Sequence, residues 1–369
     1  MHASDAVAEA RRVLEICNAC RYCEGYCAVF PAMELRRAFS DAEIDYLANL
    51  CHDCRACYYA CQFAPPHEFG VNLPKTFAQI RAETYEDYAW PRPLARLFRR
   101  NGLVLSLITA VAIASVVALT MGLGAPKALY IPHTGSGAFY AVIPHAAMVL
   151  LGAATFGYAL LALAMSFAGF WRETGASSQP VGMREIARAL GDVLTLRNLG
   201  GGGEGCNDRD EAFSQTRRWL HHAMFYGFFA CFAATCSATI DHYLGWVAPY
   251  PLLSAPVILG TAGGIALLAG TAGFLWVKIG ADPAPAAQEL LGAGTGLLVL
   301  LGLASLTGLA LLALRETGAM GILLAIHLGT VLALFIVLPY SKFVHGIYRL
   351  AALIRYAMEQ SISATTERE

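Results

Sequence analysis

Four cysteines lie within a short run near the start of the chain, Cys17-Asn-Ala-Cys20-Arg-Tyr-Cys23-Glu-Gly-Tyr-Cys27. The pattern returns as Cys51-His-Asp-Cys54-Arg-Ala-Cys57-Tyr-Tyr-Ala-Cys61. Both runs have the spacing C-x2-C-x2-C-x3-C, which is typical of bacterial ferredoxins. Three thiolates two residues apart can wrap a short loop around three corners of an iron–sulfur cubane. The repeated run therefore predicts two [4Fe–4S] clusters.

The fourth cysteine of each run lies too far along the chain to bind the same cluster, and in two-cluster ferredoxins it binds the neighbouring one. We predict two crossed ligand sets: Cys17, Cys20, Cys23 and Cys61 for one cluster, and Cys51, Cys54, Cys57 and Cys27 for the other. Structural zinc sites and disulfides are the alternatives. Zinc motifs pair two C-x2-C elements across a longer loop, which a repeated triple run does not match. The proline expected directly after each fourth cysteine is displaced to Pro31 and Pro65.

Composition divides the chain into a small soluble part and a large apolar part. Of 369 residues, 57% are hydrophobic and 14% are charged, whereas about a quarter of the residues in soluble domains are charged. The apolar excess begins after residue 100, which predicts a soluble domain over residues 1–90. A net charge of −1 shows no basic excess, so nucleic acid is not an expected partner.

The soluble part is predicted to be a helical, cytoplasmic iron–sulfur domain. Its first residues lack the charged and apolar regions of a signal peptide, and cytoplasmic thiols stay reduced and available for metal. Between the cysteine runs, Met33–Phe39 and Asp41–Leu50 are predicted to be helices. This favours an all-α cluster domain over a compact ferredoxin with strands.

A basic linker, residues 91–101, leads into six apolar stretches, each near or above the roughly 20 residues needed to cross a bilayer. They cover residues 102–123, 141–170, 219–241, 256–279, 289–314 and 319–341. Lys and Arg concentrate before the first stretch, in the loop 172–218 and after the last stretch. The positive-inside rule therefore places both termini and the cluster domain in the cytoplasm. We predict an all-α protein with a six-helix transmembrane b-haem-type bundle over 102–346 and a cytoplasmic tail over 347–369.

Histidines inside or beside membrane spans are candidates for function, because an ionisable group is costly there. His327 and His345 are 18 residues apart, which on one continuous helix is five turns, or about 27 Å along one face. This spacing predicts two stacked b-type haems, with axial imidazoles supplied by facing helices. One haem or two are both compatible with the sequence.

The partners of these two histidines are predicted from their depth in the membrane. His221 and His222 open the third span, level with His345, and His222 is preferred because small residues lie on its side of the helix. On the outer side, His327 could pair with His145 or with His242, and the sequence does not separate these two.

A quinone headgroup site is expected near the cytoplasmic surface of the bundle. The candidates are Arg217, Arg218, Tyr340 and Lys342, each of which could instead be an interfacial anchor. The glycine-rich stretch from Leu199 to Cys206 lacks the strand, helix and glycine spacing of nucleotide-binding fingerprints. It is read as a docking or quinone-adjacent loop, or as a bare linker. Because no flavin or nicotinamide motif appears, electrons are expected to come from a separate dehydrogenase.

Several stretches together resemble the tricarballylate-utilisation protein B family (TcuB, also called CitB). Besides the cysteine runs, they are Phe139-Tyr-Ala-Val-Ile-Pro-His145, Gly201-Gly-Gly-Glu-Gly-Cys206-Asn, Arg217-Arg-Trp-Leu-His-His222, His242-Tyr243, Ala248-Pro-Tyr250 and Pro339-Tyr-Ser-Lys-Phe-Val-His345-Gly. The resemblance runs over nearly the whole chain. It implies a bacterial inner-membrane protein that reoxidises a cytoplasmic FAD-dependent tricarballylate dehydrogenase. It further implies that electrons pass through iron–sulfur clusters and haem to quinone, and that the eight cysteines bind the clusters.

Other functions are compatible with parts of the sequence. A similar membrane subunit could serve a succinate-, fumarate- or heterodisulfide-type flavoenzyme, since no residue identifies the organic substrate. A membrane redox sensor is disfavoured because no output domain follows the last span. A transporter is disfavoured because the spans carry almost no Asp, Glu, Lys or Arg.

Overall fold

The structure, a computed structural model, describes residues 4–98, 101–123, 126–175 and 180–366. Parts of the predicted linker, of the loop 172–218 and of the tail lie outside the described residues. Among those described, the chain forms helices and no strand, so the predicted all-α fold is confirmed. The helices of the soluble part are α1 Asp5–Cys20, α2 Val29–Glu34, α3 Asp41–Leu50, α4 Ala56–Tyr59, α5 Leu73–Asp87 and α6 Arg92–Leu97.

The cysteine runs lie where these helices end and begin. Helix α1 ends at Cys20, and Arg21 turns the chain with a left-handed φ of 55°. Helix α3 ends directly before Cys51, and left-handed backbone at Asp53 (58°) and Arg55 (67°) leads into α4. Non-glycine residues adopt this conformation uncommonly, so the loops that carry the thiols have a fixed shape.

The helix predicted between the cysteine runs over Met33–Phe39 was misplaced. The structure has α2 at Val29–Glu34, where Val29, Phe30 and Met33 face the core. The chain then turns, because Ser40 is extended (φ −70°, ψ 163°) to cap α3 by accepting from the Glu43 amide. An N-cap residue is non-helical, so a helix cannot run into it.

Among the residues that the structure describes, the membrane part contains six helices long and apolar enough to cross a bilayer, in agreement with the six predicted stretches. They lie within α7 Asn101–Leu123, α9 His145–Thr174, α11 Thr216–Tyr243, α12 Ala255–Ile279, α13 Leu291–Ala313 and α14 Met320–Val337. Glycines bring α11 and α12 together: a Cβ on Gly227 would stand 2.6 Å from the Leu267 nitrogen. Small residues allow such close approach of membrane helices. The chain therefore has the character of a membrane protein.

Three further helices complete the fold: α8 Ala138–Val142, α10 Met183–Thr195 and α15 His345–Thr366. The segment 347–369, predicted as a tail, is mostly the helix α15, which packs on the soluble part. Ala352 and Leu353 lie in the core formed by α1, α3 and α5. The Tyr46 hydroxyl donates to Glu359 at 2.9 Å. The C-terminal helix thus fastens the cysteine domain to the bundle.

The continuous helix assumed between His327 and His345 is not present. Helix α14 ends at Val337, and two short 3-10 turns, Leu338–Tyr340 and Lys342–Val344, separate it from α15. Pro339 lacks the amide hydrogen needed to continue the helix, and Ser341 is extended. The argument that five whole turns place both imidazoles on one face is therefore wrong.

The carboxyl of Asp45, which lies where α3 meets the end of α5 and α9, makes the stability of the fold depend on pH. The Asp45 carboxyl lies 3.0 Å from the Tyr88 hydroxyl, and the same hydroxyl lies 2.8 Å from the Glu173 carboxyl of α9. Burial raises the pKa of Asp45 to about 7, against the lowering effect of hydrogen bonds from Tyr88 and Thr84. Because the folded-state pKa lies above the unfolded one, the stabilisation is complete below the unfolded value near 4. It is lost as the pH rises through about 7.

We expect Asp45→Asn to remove this pH dependence. Thermal unfolding of the detergent-solubilised chain should show a melting temperature that falls between pH 5 and pH 8. Over this pH range the loss of stability corresponds to at most about 3 kcal/mol. The Asp45→Asn variant should melt at nearly the same temperature at pH 5 and at pH 8. Equal falls in both proteins would show that Asp45 is not the responsible group.

Candidate metal centres

The first thiol set surrounds a cavity within the soluble domain. Cys17 and Cys20 from the end of α1, Cys23 from the following turn, and Cys61 after α4 all line it, with Cys57 at its edge. Apolar side chains complete the lining: Ile16, Phe30, Phe63, Val71 and Leu73. The structure thus brings the fourth cysteine of the second run to the first three cysteines of the first run.

The second thiol set surrounds a neighbouring cavity. It is lined by Cys51, Cys54, Cys57 and Cys27, so the reciprocal crossing is present here as well. Cys57 borders both cavities, which places the two sites side by side. His52, Asp53 and Asn198 also line the second cavity.

The chemistry of the thiols fits a multi-iron group. Burial and the neighbouring Cys61, Cys23 and Cys20 raise the pKa of Cys17 to about 12. Such a set is held as thiolates only when a bound cation offsets the charge. Among the described residues, no three His, Cys, Asp or Glu side chains converge closely enough to hold a single metal ion. The thiols stand around cavities instead, which suits a cluster with ligands on separate irons.

The second cysteine run is held by arginines from three parts of the chain. Arg217 of α11 donates to the Asp53 carbonyl at 2.6 Å, and Arg349 of α15 donates to the Cys51 carbonyl at 2.7 Å. Arg81 of α5 donates to the Ala48 carbonyl at 3.0 Å. These guanidinium groups supply positive charge around the second thiol set.

Of the two histidines that open α11, the structure brings His221, and not the preferred His222, to His345. The ring centroids of His221 and His345 are 6.1 Å apart. The His345 Nδ1 contacts the Lys342 carbonyl at 2.6 Å, and contacts of this kind fix the orientation of metal-binding imidazoles. His222 lies instead against Trp219 and Tyr226. His222, preferred in the sequence because of the small residues on its side of α11, has no ring contact with His345 among those described.

A buried histidine that the sequence analysis did not single out lines the second cavity. His52 follows Cys51 directly, and its Nδ1 lies 2.8 Å from the Leu50 carbonyl. Burial, then Arg349, hold the pKa of His52 well below its ordinary value, with a further contribution from His221. In the sequence, His52 lies between Cys51 and Cys54, two predicted cluster ligands, and this position was the signal that could have identified it.

His145 and His242, the two predicted partners of His327, lie against each other. The rings of His145 and His242 stack on each other at 3.6 Å, and Tyr140 lies 3.0 Å from the His242 Nδ1. The His327 Nδ1 lies 3.0 Å from the Thr307 hydroxyl. Neither His145 nor His242 has a described ring contact with His327.

The four quinone candidates are divided between different surroundings. Arg217 pairs with Asp53 and Asp208, at 3.6 and 3.4 Å, and Arg218 donates to the Thr195 carbonyl at 2.8 Å. Tyr340 shares a hydrogen bond with Tyr158 and donates to the Trp90 carbonyl at 3.2 Å. Lys342 lies beside the start of α13, where its Cδ is 3.3 Å from a Cβ built on Gly294. The structure does not gather them into one site.

A helical domain with two crossed thiol sets, joined to six candidate membrane spans, defines a class of membrane-bound iron–sulfur protein. Residues 10–87 match the family model described as Citrate utilization protein B Fer4-like domain, and residues 96–366 match the model described as Citrate utilization protein B. A protein of Escherichia coli named Citrate utilization protein B is 49% identical over 360 residues, which cover 96% of this chain and 92% of that protein. The chain belongs to the citrate utilization protein B family. No solved structure matches it.

The family assignment confirms the resemblance identified in the sequence. A Fer4-like domain together with six candidate spans fits an iron–sulfur electron-transfer role in a membrane protein.

Proposed function

We propose that the chain carries electrons from a cytoplasmic FAD-dependent dehydrogenase, acting on tricarballylate or a citrate-related acid, to quinone in the bacterial inner membrane. The observation that carries this proposal is that two crossed thiol sets lie in a helical domain joined to six candidate spans, and that the rings of His221 and His345 lie 6.1 Å apart at the end of those spans. The family's printed name supports a citrate-type substrate for the partner enzyme. The chain would act as the quinone-reducing component, with no organic chemistry or flavin of its own.

Two [4Fe–4S] clusters would be held by the crossed thiol sets. When bound, they supply one-electron carriers. The protein would set the direction of transfer, because three arginines, Arg81, Arg217 and Arg349, donate to backbone carbonyls of Cys51 and Asp53 in the second cysteine run. Positive charge favours the more negative, reduced state of a redox group. Electrons would therefore move downhill from the first thiol set to the second.

One b-type haem would be held by His221 and His345. Both side chains are partly buried at the cytoplasmic end of the bundle, and the His221 Nδ1 has no hydrogen-bond partner among the described residues. A second haem on His145 and His242 does not fit. Their rings stack with only 21° between the planes, so their in-plane lone pairs cannot meet at one iron. His327, whose Nδ1 lies 3.0 Å from the Thr307 hydroxyl, would remain the candidate for a second haem, with His145 or His242 as its partner.

The overall reaction is balanced without a proton carrier inside the protein. A reduced flavin releases two electrons and two protons, and a quinone takes up two of each to become a quinol. Both exchanges would occur at the cytoplasmic surface, where the positive-inside rule places both termini and the thiol sets. The protein would therefore need to carry only electrons, one at a time.

The experiment that tests this proposal is spectroscopy on the purified full chain. Reduction with dithionite should give two interacting S = 1/2 signals in electron paramagnetic resonance, together with the optical bands of a low-spin b-haem. Addition of a quinone analogue should reoxidise both groups and yield quinol. A colourless protein, or a coloured protein that never reduces quinone, would overturn the proposal.

Tyr340 is the quinone candidate that the structure supports best. It ends the last span, Phe98 stacks on its ring at 5.2 Å, and its hydroxyl is shared with Tyr158. We expect Tyr340→Phe to raise the KM for quinone about tenfold through loss of one hydrogen bond to the headgroup. Cluster and haem spectra should remain unchanged.

The matched control for this prediction is Tyr130→Phe. Tyr130 lies after the first span, at the opposite end of the bundle, and is largely exposed. That variant should keep the ordinary KM. If Tyr340→Phe also keeps it, the headgroup binds elsewhere.

A further inference from the structure

The glycine-rich segment of the membrane domain lies against the second thiol set. Residues Arg197–Gly203 form a 3-10 turn, and Asn198 lines the second cavity. A Cβ built on Gly201 would lie 3.6 Å from the Ala56 Cβ and 3.9 Å from the Cys54 sulfur. The segment therefore forms part of the wall around these thiols, although it is more than 130 residues away in the chain.

The wall also fits closely against the first cysteine run. Gly202 has a left-handed φ of 82°, and a Cβ there would stand 3.2 Å from the Gly25 carbonyl oxygen and 3.4 Å from the Tyr26 Cα. These atoms belong to the backbone and cannot rotate away. Gly203, its neighbour, also has a positive φ of 115°, but no atom lies within 4 Å of its Cβ position. Of these two glycines, only Gly202 is required for close packing against the first cysteine run.

Backbone hydrogen bonds anchor the segment. The Asn207 amide donates to the Cys54 carbonyl at 2.9 Å. Cys206 and Ser214 exchange two backbone hydrogen bonds, each 2.9 Å, and the Cys206 side chain is fully buried beside Cys54 and Ala56. The segment is therefore fixed in place on the cavity.

The first cavity has no such wall. Its lining residues all come from the soluble domain, between residues 16 and 73. Tyr22, at its edge, is 69% exposed, and Gln62 is exposed as well. Water-soluble molecules can approach this cavity from the cytoplasmic side.

We propose that residues 198–207 act as a fixed wall that seals the second thiol set from water, while the first set stays accessible to soluble molecules. This inference rests on the two clusters of the proposed function. It assigns Asn198, Gly201 and Gly202 a positioning role and restricts a soluble redox partner to the first site.

The test measures how fast a water-soluble iron chelator, bathophenanthroline disulfonate, removes each cluster from the full chain under anaerobic conditions. Electron paramagnetic resonance follows the two clusters separately. In the unmodified protein, the first cluster should be lost before the second. Gly202→Val should accelerate loss of the second cluster about tenfold, as expected for overpacking at a tight contact, and leave the first unchanged.

Two further variants distinguish loss of the wall from general destabilisation of the protein. Gly203→Val carries the same kind of backbone strain into open space, so it should leave the second cluster protected. Asn198→Ala removes a wall side chain without backbone strain and should give a smaller acceleration at the second cluster only. Equal rates for both clusters in the unmodified protein, or equal effects of the two valine variants, would overturn the inference. Absence of two cluster signals in the unmodified protein would instead overturn the proposed function.

Discussion

Cys61→Ser should destroy the cluster of the first thiol set and spare that of the second, although Cys61 belongs to the second cysteine run. The reason is that Cys61 lines the first cavity with Cys17, Cys20 and Cys23. Serine oxygen is a poor replacement for a thiolate that binds iron. Iron should fall from about eight to about four atoms per chain, and one of the two cluster signals should disappear.

The reciprocal variant completes the test of crossed ligation. Cys27→Ser should remove the other signal, because Cys27 lines the second cavity. Cys231→Ser and Cys236→Ser are matched controls, since these cysteines lie in span α11 away from both cavities, and they should keep all the iron. If Cys61→Ser abolished the cluster built on Cys51, Cys54 and Cys57, ligation within each run would replace the crossed arrangement.

His221→Ala should abolish the b-haem spectrum, whereas His222→Ala should retain it. The two residues are adjacent, equal in chemistry and at the same depth, but only His221 faces His345 at 6.1 Å. Loss of one axial ligand leaves the iron without its low-spin coordination. The measurement is haem content together with the reduced-minus-oxidised spectrum.

His345→Ala should give the same loss as His221→Ala, with both iron–sulfur signals still present. Retention of these signals shows that the variant has folded. Full haem content in either variant, or its loss in His222→Ala, would exclude the proposed ligand pair.

Local sequence patterns predicted the parts of the fold that depend on local chemistry. Six apolar stretches correspond to six spans because crossing a bilayer requires length and hydrophobicity alone. The thiol spacing predicted which cysteines would meet, and the structure brings both crossed sets to separate cavities. Helix α3 was predicted with its bounds because Ser40 and Cys51 mark its ends.

Contacts between distant segments could not be predicted in this way. Which of His221 and His222 faces His345 depends on the rotation of α11 against its neighbours, and the sequence pattern of small residues gave the opposite answer. The path of α15 across the soluble domain depends on Tyr46 and Glu359, which are 313 positions apart. The position of the glycine-rich segment against Cys54 likewise depends on contacts between distant parts of the chain.

The wall around the second cavity has a consequence for biogenesis. Its parts are synthesised in order: the thiols first, then the segment at 198–207, and last Arg349, which holds the Cys51 carbonyl. A nascent chain therefore exposes this site to water until the bundle has entered the membrane and the last helix has folded back. Iron delivery to that position is possible during this interval, and completion of the transmembrane part closes it.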